Sequence, residues 1–136
     1  LLSGTAVAVS LVSPRTAVIA AEPEWADDAY RSFKSGHIVP SLDPNTIADG
    51  LRTSLGDLTF PIIQRHVKDI VLVSEEAIVE AMRCLWERMK ILVEPSGAVP
   101  LGAILSRRLE VKGRRVGIIV SGGNVDLDRL PWIHKS

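Results

Sequence analysis

The sequence has a single cysteine, three scattered histidines and no excess charge of either sign. Because Cys84 alone cannot form an intramolecular disulfide, the sequence favours a reducing compartment, and we expect a cytoplasmic protein. The 16 basic and 16 acidic residues cancel, which leaves no net charge to attract nucleic acid or an anionic membrane surface. His37, His66 and His134 show no spacing typical of a zinc site. The composition therefore argues against a disulfide scaffold, a nucleic-acid-binding protein and a zinc protein.

Long apolar runs are also missing, and none reaches the roughly 20 residues that a membrane-spanning helix needs. Residues 1–23 are apolar and contain an Ala-rich segment similar to a signal-peptide cleavage site. However, they carry no basic region at the start, and Pro14 and Arg15 interrupt them. We therefore expect neither a signal peptide nor a membrane segment. The first residues are typical of a helix interior and do not include an initiating methionine, so we expect a piece of a longer polypeptide.

What the sequence does contain is an alternation of helix-like and strand-like segments. With 136 residues, 46% of them apolar, the chain can form one domain that buries roughly two thirds of its unfolded surface. Helices are predicted over residues 1–12, 25–35, 60–67, 74–89 and 95–109, strands over 16–21, 70–73 and 116–120, and a loop over 37–57. Pro23 is predicted to begin the second helix, Gly36 to end it, and Ser74 to cap the fourth. This order predicts an α/β fold, a parallel sheet with helices on both faces and no internal linker.

Ligands of such sheets bind beyond the carboxyl ends of the strands, where polar residues 22–28, 74–76 and 121–124 are expected. Ser121-Gly122-Gly123-Asn124 has two interpretations. It is either a strand-to-helix turn, or a place where a flat or anionic ligand approaches backbone that lacks Cβ atoms.

The acidic stretch from Glu22 to Asp28 also has two interpretations. It is either an acidic first helical turn, or a site where Glu22, Asp28 and a backbone carbonyl bind magnesium or calcium. Residues 46–50 and 93–97 are ordinary loops with a glycine, or they belong to the same ligand edge through Glu94. Lys90 by itself is typical of a solvated cation at a helix end.

Four stretches together resemble one enzyme family. They are AAEPEWADDAY, TIADGLRTSLGDLTFP, ERMKILVEPSGA and SGGNVDL, and their order and spacing are similar to those of the serine racemase and serine/threonine dehydratase family. The resemblance covers essentially the whole chain and looks closest to the racemase branch. It implies the tryptophan synthase β-like, fold-type II pyridoxal-phosphate fold, with residues 1–136 as the C-terminal portion of the large domain. It further implies a homodimer that acts on serine, threonine or 3-hydroxyaspartate.

The resemblance also implies roles for individual residues. Ser121 would hydrogen-bond the pyridine nitrogen of pyridoxal 5'-phosphate, which suits elimination better than transamination because a hydroxyl does not require a protonated ring. The other implied cofactor contacts are Gly122, Gly50, Glu94 and the backbone of Leu1, with Gly123 leaving room near the ring.

Glu22, the carbonyl of Ala26 and Asp28 match the family's divalent-cation ligands, for Mg²⁺, Ca²⁺ or Mn²⁺. Leu58 stands where a further ligand of the family is asparagine, which puts that contact in doubt. Lys90 and Asn124 match positions that contact ATP at the dimer interface.

The family's Schiff-base lysine, its small domain and its tetraglycine phosphate loop do not match any residues of this chain. We expect the glycine loop immediately before Leu1, and we expect the isolated chain to be inactive without the remainder of the parent enzyme. The alternative is a non-catalytic fragment or separately encoded subunit that binds a ligand or a partner chain. A nucleotide-binding α/β domain is a third interpretation that rests on Gly122-Gly123 alone. Racemase and dehydratase both stay open, because they share every residue seen here.

Overall fold

The computed structural model describes residues 1–133. In chain order the helices are α1 (Leu2–Val12), α2 (Asp28–Ser35), α3 (Phe60–His66), α4 (Glu75–Cys84) and α5 (Pro95–Leu105), and the strands are β1 (Ile19–Pro23) and β2 (Asp69–Val73). A π-helical turn, Leu85–Met89, continues α4, and short 3-10 turns occupy Asp49–Leu51 and Leu127–Arg129. None of the helices in the described part of the chain is both long enough and apolar enough to cross a membrane.

The two strands pair in parallel, from Ile19 beside Asp69 to Pro23 beside Val73. Because side chains alternate along a strand, the pair has two apolar faces. On one face Ile70 packs with a cluster from α1 and α3 that contains Ala6, Ile63 and Val67. On the other face Val73 packs with a cluster from α4 and α5 that contains Ile78, Val99 and Ala103. The predicted α/β fold, a parallel sheet with helices on both faces, is confirmed.

Helices α4 and α5 pack closely, and Gly102 makes this possible. A Cβ atom at position 102 would lie 3.1 Å from the carbonyl oxygen of Ala77 in α4 and 3.0 Å from Cγ1 of Val73 in β2. The predicted cap of α4 is also present, since Ser74 Oγ accepts a hydrogen bond from the amide of Ala77 at 3.4 Å. Gly36 ends α2 in the left-handed region, with φ 77°.

The predicted start of α2 is wrong. Pro23 is the last residue of β1 and not the first of a helix. The hydrogen bonding between β1 and β2 extends one residue further, because the amide of Glu24 donates to the carbonyl of Val73 at 2.9 Å. The helix begins only at Asp28. Strand β1 likewise begins at Ile19 and not at residue 16, where no partner residue of β2 is available.

Two further predicted elements differ. Helix α5 ends at Leu105 and not at residue 109, because the chain turns back at Arg107, with φ 58°, and the amide of Leu109 donates to Ala103 O. Helix α1 matches its predicted range, but Ala6 is its one buried residue.

The predicted third strand is absent from the described structure. Residues 116–120 have no strand assignment, and Val116 and Ile119 are 47% and 49% exposed. A strand needs the hydrogen-bonding edge of a neighbour, and within residues 1–133 β1 and β2 pair only with each other. An apolar sequence alone therefore does not produce a ladder here.

Candidate functional site

Glu94 lies at the centre of a group that we call the glycine cluster: Gly50, Glu94, Ser96, Gly97, Ser121, Gly122 and Asn124. The amide of Glu94 donates to the carbonyl of Gly122 at 3.2 Å, and its carboxylate Oε2 accepts from the amide of Asn124 at 2.8 Å. Both ends of this one residue therefore hold the Ser121–Asn124 turn.

Glycine at position 122 is required by that arrangement. A Cβ atom there would lie within 2.5 Å of the carboxyl carbon and both oxygens of Glu94, and the backbone φ of 83° is unfavourable for any residue with a side chain. The space beside Gly122 is therefore used by the protein's own carboxylate. The restriction at Gly123 is weaker, since a Cβ there would lie 3.2 Å from Cδ2 of Leu92, the end of an exposed side chain.

Gly50 joins the cluster from the 3-10 turn Asp49–Leu51. Its amide donates to Asp49 Oδ1 at 2.9 Å and to Ser96 Oγ at 3.1 Å. A Cβ atom at position 50 would lie 3.0 Å from Ser96 Oγ and 3.7 Å from Glu94 Oε1. Three stretches distant in sequence thus meet at Gly50, Glu94 and Gly122.

Gly97 completes the contact with the Ser121 turn. A Cβ atom at position 97 would overlap with the carbonyl oxygen of Ser121 and lie 2.8 Å from Cγ2 of Val93. The sequence prediction singled out Glu94 within residues 93–97 and missed Ser96 and Gly97. The available sequence feature was a pair of small residues in the first turn of a helix, where backbone from another segment can approach.

Apolar packing holds the Ser121 turn against α4 from behind. Trp86 Nε1 donates to the carbonyl of Val93 at 2.9 Å, and the rings of Trp86 and Trp132 meet edge to face, with centroids 5.7 Å apart. Val120 and Val125 on either side of the turn pack on the same core cluster. Ser121 itself is exposed, which leaves its hydroxyl accessible to a ligand.

The remaining predicted cofactor and ATP residues lie as follows. Leu1 precedes α1, which packs against α3, and is 78% exposed. Lys90 ends the π-helical turn in a left-handed conformation, with φ 59°, and is exposed. Asn124 is exposed and is held through its backbone amide by Glu94.

The acidic stretch forms a second group at the carboxyl end of β1. Glu22 is 7% exposed, and its carboxylate accepts from the amides of Ala29 at 3.1 Å and Tyr30 at 2.8 Å. Glu22 therefore caps α2 from six residues before the helix starts, in place of a local capping side chain. Burial raises the pKa of Glu22 to about 7, although the two amides oppose the rise.

Asp28 is 1% exposed, and among the described residues neither of its carboxylate oxygens has a hydrogen-bond partner. Burial raises its pKa; the Ser41 hydroxyl is the group that most opposes this rise, but it does not reach hydrogen-bonding geometry with either oxygen. A buried carboxylate without a partner is costly and calls for a cation or a proton. Ala26, between the two acids, is 4% exposed, whereas Leu58 is 87% exposed and has no side-chain oxygen.

Within residues 1–133 there is no group of three or more acidic, histidine or cysteine side chains that could bind a metal ion. A cation bound at the acidic stretch would therefore need a backbone oxygen in addition to the Glu22 and Asp28 carboxylates. Hard cations accept this mixture of carboxylate and carbonyl oxygens, with water completing the shell.

Comparison with known proteins gives one consistent result. A family model described as "Pyridoxal-phosphate dependent enzyme" matches residues 1–122. A beta-hydroxyaspartate dehydratase from Paracoccus denitrificans is 52% identical over 97% of this chain and 42% of its own length. The crystal structure of serine racemase from Dictyostelium discoideum superposes with a TM-score of 0.87 at 52% identity, over 93% of this chain and 41% of that one. The crystal structure of a threonine deaminase from T.th. gives a TM-score of 0.85 at 49% identity, over 93% and 46%.

The chain thus spans less than half the length of each of these relatives. The matches are spread over racemase, dehydratase and deaminase, so they do not single out the racemase branch. They do agree on the fold and on the family. The chain belongs to the fold-type II pyridoxal-phosphate-dependent enzymes.

Proposed function

We propose that the enzyme containing this chain racemises serine, or eliminates water from serine, threonine or 3-hydroxyaspartate. The enamine left by the elimination becomes an imine, which water hydrolyses to a keto acid and ammonia. The observation that carries the proposal is the convergence of Gly50, Glu94 and Ser121 on one cluster beside the sheet. It is supported by the relatives, which include a serine racemase, a beta-hydroxyaspartate dehydratase and a threonine deaminase.

Pyridoxal phosphate, when bound, supplies the electron sink that makes the Cα–H and Cβ–O bonds of an amino acid labile. The fit of this chain to the cofactor is supported by the accessible Ser121 side chain. In the proposal the backbone of Gly50 also lies near the ring, while the space that a Cβ atom would need at Gly50 and Gly122 is occupied by Ser96 and Glu94. In the proposal the uncharged hydroxyl of Ser121 donates a hydrogen bond to the ring nitrogen. A carboxylate at that position would favour a protonated ring and a stronger electron sink.

The chain's other residues hold Ser121 in place. Glu94 binds the turn through Gly122 and Asn124, and Trp86 braces the segment that carries Glu94. The Schiff-base lysine comes from the remainder of the enzyme in this proposal. The isolated chain is therefore expected to be inactive.

We also propose a divalent cation, Mg²⁺, Ca²⁺ or Mn²⁺, bound by Glu22, Asp28 and the carbonyl of Ala26. Support comes from the two buried carboxylates and from the unpartnered oxygens of Asp28. The cation would join the end of β1 to the start of α2, a structural role. ATP contact through Lys90 and Asn124 and a homodimer stay predictions from the resemblance, and a cytoplasmic location stays a prediction from the single cysteine.

The test is a pair of measurements on the complete enzyme and on the 136-residue chain. The complete enzyme, loaded with pyridoxal phosphate, is expected to form keto acid, ammonia or D-serine from L-serine and related hydroxy amino acids. The chain alone is expected to show no borohydride-reducible visible absorbance. A reducible yellow chromophore on the chain alone would overturn the assignment of the lysine to the remainder. Absence of cofactor binding by the complete enzyme would instead favour the non-catalytic alternative.

A further inference from the structure

Ser96 connects two parts of the glycine cluster that come from distant segments. It is the second residue of α5, and its hydroxyl accepts the Gly50 amide at 3.1 Å across 46 residues of sequence. The same amide also donates to Asp49 Oδ1 at 2.9 Å. One N–H is therefore shared by two acceptors with different consequences for the fold.

The two acceptors differ in what they can hold in place. Asp49 is the neighbour of Gly50 in the chain, so its contact shapes the 3-10 turn without placing that turn against anything else. Ser96 belongs to α5, so its contact sets where the turn lies relative to the helix. The Ser96 bond is thus the polar link between Gly50 and α5, whereas Ile47, three residues earlier, bonds through its amide to Glu75 of α4 at 2.8 Å.

The residues on either side of Ser96 are fixed on the Ser121 turn. Glu94 bonds to Gly122 and Asn124, and Gly97 packs against the carbonyl of Ser121. Pro95 lies between Glu94 and Ser96 and restricts the backbone there. The distance from Gly50 to Ser121 is therefore set through a short, stiff segment, residues 94–97.

We propose that Ser96 is a positioning residue that sets the separation between the Gly50 backbone and the Ser121 turn, and so the width of the slot for the pyridine ring. The inference rests on the proposed function, because it takes Gly50 and Ser121 to contact the same cofactor. Ser96 touches the protein and not the reacting atoms. Its loss should therefore alter how the cofactor is held before it alters the protein's fold.

The experiment compares Ser96→Ala, Ser96→Thr and Asp49→Ala in the complete enzyme. Ser96→Ala removes the link, Ser96→Thr keeps the hydroxyl, and Asp49→Ala removes the local acceptor of the same N–H. Pyridoxal-phosphate affinity and the visible absorption band are measured by titration, and exchange of the Gly50 amide is followed by hydrogen exchange. Ser96→Ala is expected to bind the cofactor about fivefold more weakly, the effect of losing one hydrogen bond, with a shifted band and faster Gly50 exchange. Ser96→Thr and Asp49→Ala are expected to keep the wild-type affinity and band.

Unchanged affinity and absorption in Ser96→Ala, with the wild type binding cofactor normally, would overturn this inference and leave the proposed function intact. Equal losses in Ser96→Ala and Asp49→Ala would also overturn it, because the local bond would then matter as much as the link. If Ser96→Ala does not fold, Ser96→Cys keeps the size of the side chain with a weaker acceptor. That variant must then bind cofactor less tightly than Ser96→Thr for the inference to stand. A wild-type enzyme that binds no cofactor would overturn both proposals.

Discussion

Replacing Gly122 by alanine should destabilise the protein through two separate effects. The left-handed backbone, with φ 83°, costs a residue with a side chain about 1–2 kcal/mol. The new Cβ must also displace the Glu94 carboxylate, which breaks its bond to the Asn124 amide. A hydrogen bond to a charged group contributes about 1.5–3 kcal/mol, and half-buried Glu94 belongs at the lower end. We expect the free energy of unfolding to fall by about 3 kcal/mol in total, measured by denaturant titration.

A double-mutant cycle with Glu94→Ala separates the two effects. Without the Glu94 carboxylate, Gly122→Ala should cost only the backbone part, about 1–2 kcal/mol. Gly117→Ala is the matched control, since a Cβ there meets no atom within 4 Å and the change should stay within about 0.5 kcal/mol. If Gly122→Ala costs the same with and without Glu94, the proposed overlap with the carboxylate does not exist.

Three further predictions concern the acidic stretch and Trp86. At about 100 times its dissociation constant, free Mg²⁺ or Ca²⁺ should stabilise the enzyme by about 3 kcal/mol and raise its melting temperature. Asp28→Ala should abolish this rise, and an identical rise in the wild type and the variant would exclude the site. The pKa of Glu22 is about 7 in the folded protein against 4.5 in the unfolded chain, so Glu22 loses its proton at lower pH when the chain is unfolded. In metal-free protein the free energy of unfolding should therefore fall as pH rises from 4.5 to 7. Glu22→Gln should reduce this dependence of the free energy of unfolding on pH, and an equally strong dependence in the variant would show that other groups cause it. Trp86→Phe loses the bond to Val93 O and should lower the free energy of unfolding by about 1 kcal/mol, whereas no change would show that water replaces the bond.

Local signals in the sequence predicted the elements whose ends depend on nearby residues. Ser74 begins α4 and Gly36 ends α2, because a cap and a left-handed glycine act within one helical turn. The start of α2 escaped prediction because its cap, Glu22, comes from the preceding strand. The prediction of a third strand was wrong for a related reason, since a strand forms only where the edge of another strand is available for pairing, and the local sequence does not contain that information.

The glycine cluster shows the same division. Spacing along the chain could not tell whether Ser121-Gly122 was a plain turn, and the resemblance to a family supplied the ligand interpretation. Neither indicated that Glu94 would fill the space beside Gly122, because that contact exists only after residues 94 and 122 meet. Ser96 was missed because a serine at the start of a helix is ordinary until its distant partner, the Gly50 amide, is known.

The close packing at Gly102 gives the far end of α5 an influence on the proposed cofactor slot. Gly102 lies eight residues beyond Glu94, about 12 Å along the helix, and there the helix rests directly on Ala77 of α4 and Val73 of β2. A side chain added at that point would have to lift the helix off its support, and part of that displacement would pass through Pro100 to the start of the helix. Glu94 and Ser96 would move with it. Substitutions at that distance would therefore act on the glycine cluster through the position of α5, without changing any residue of the cluster itself.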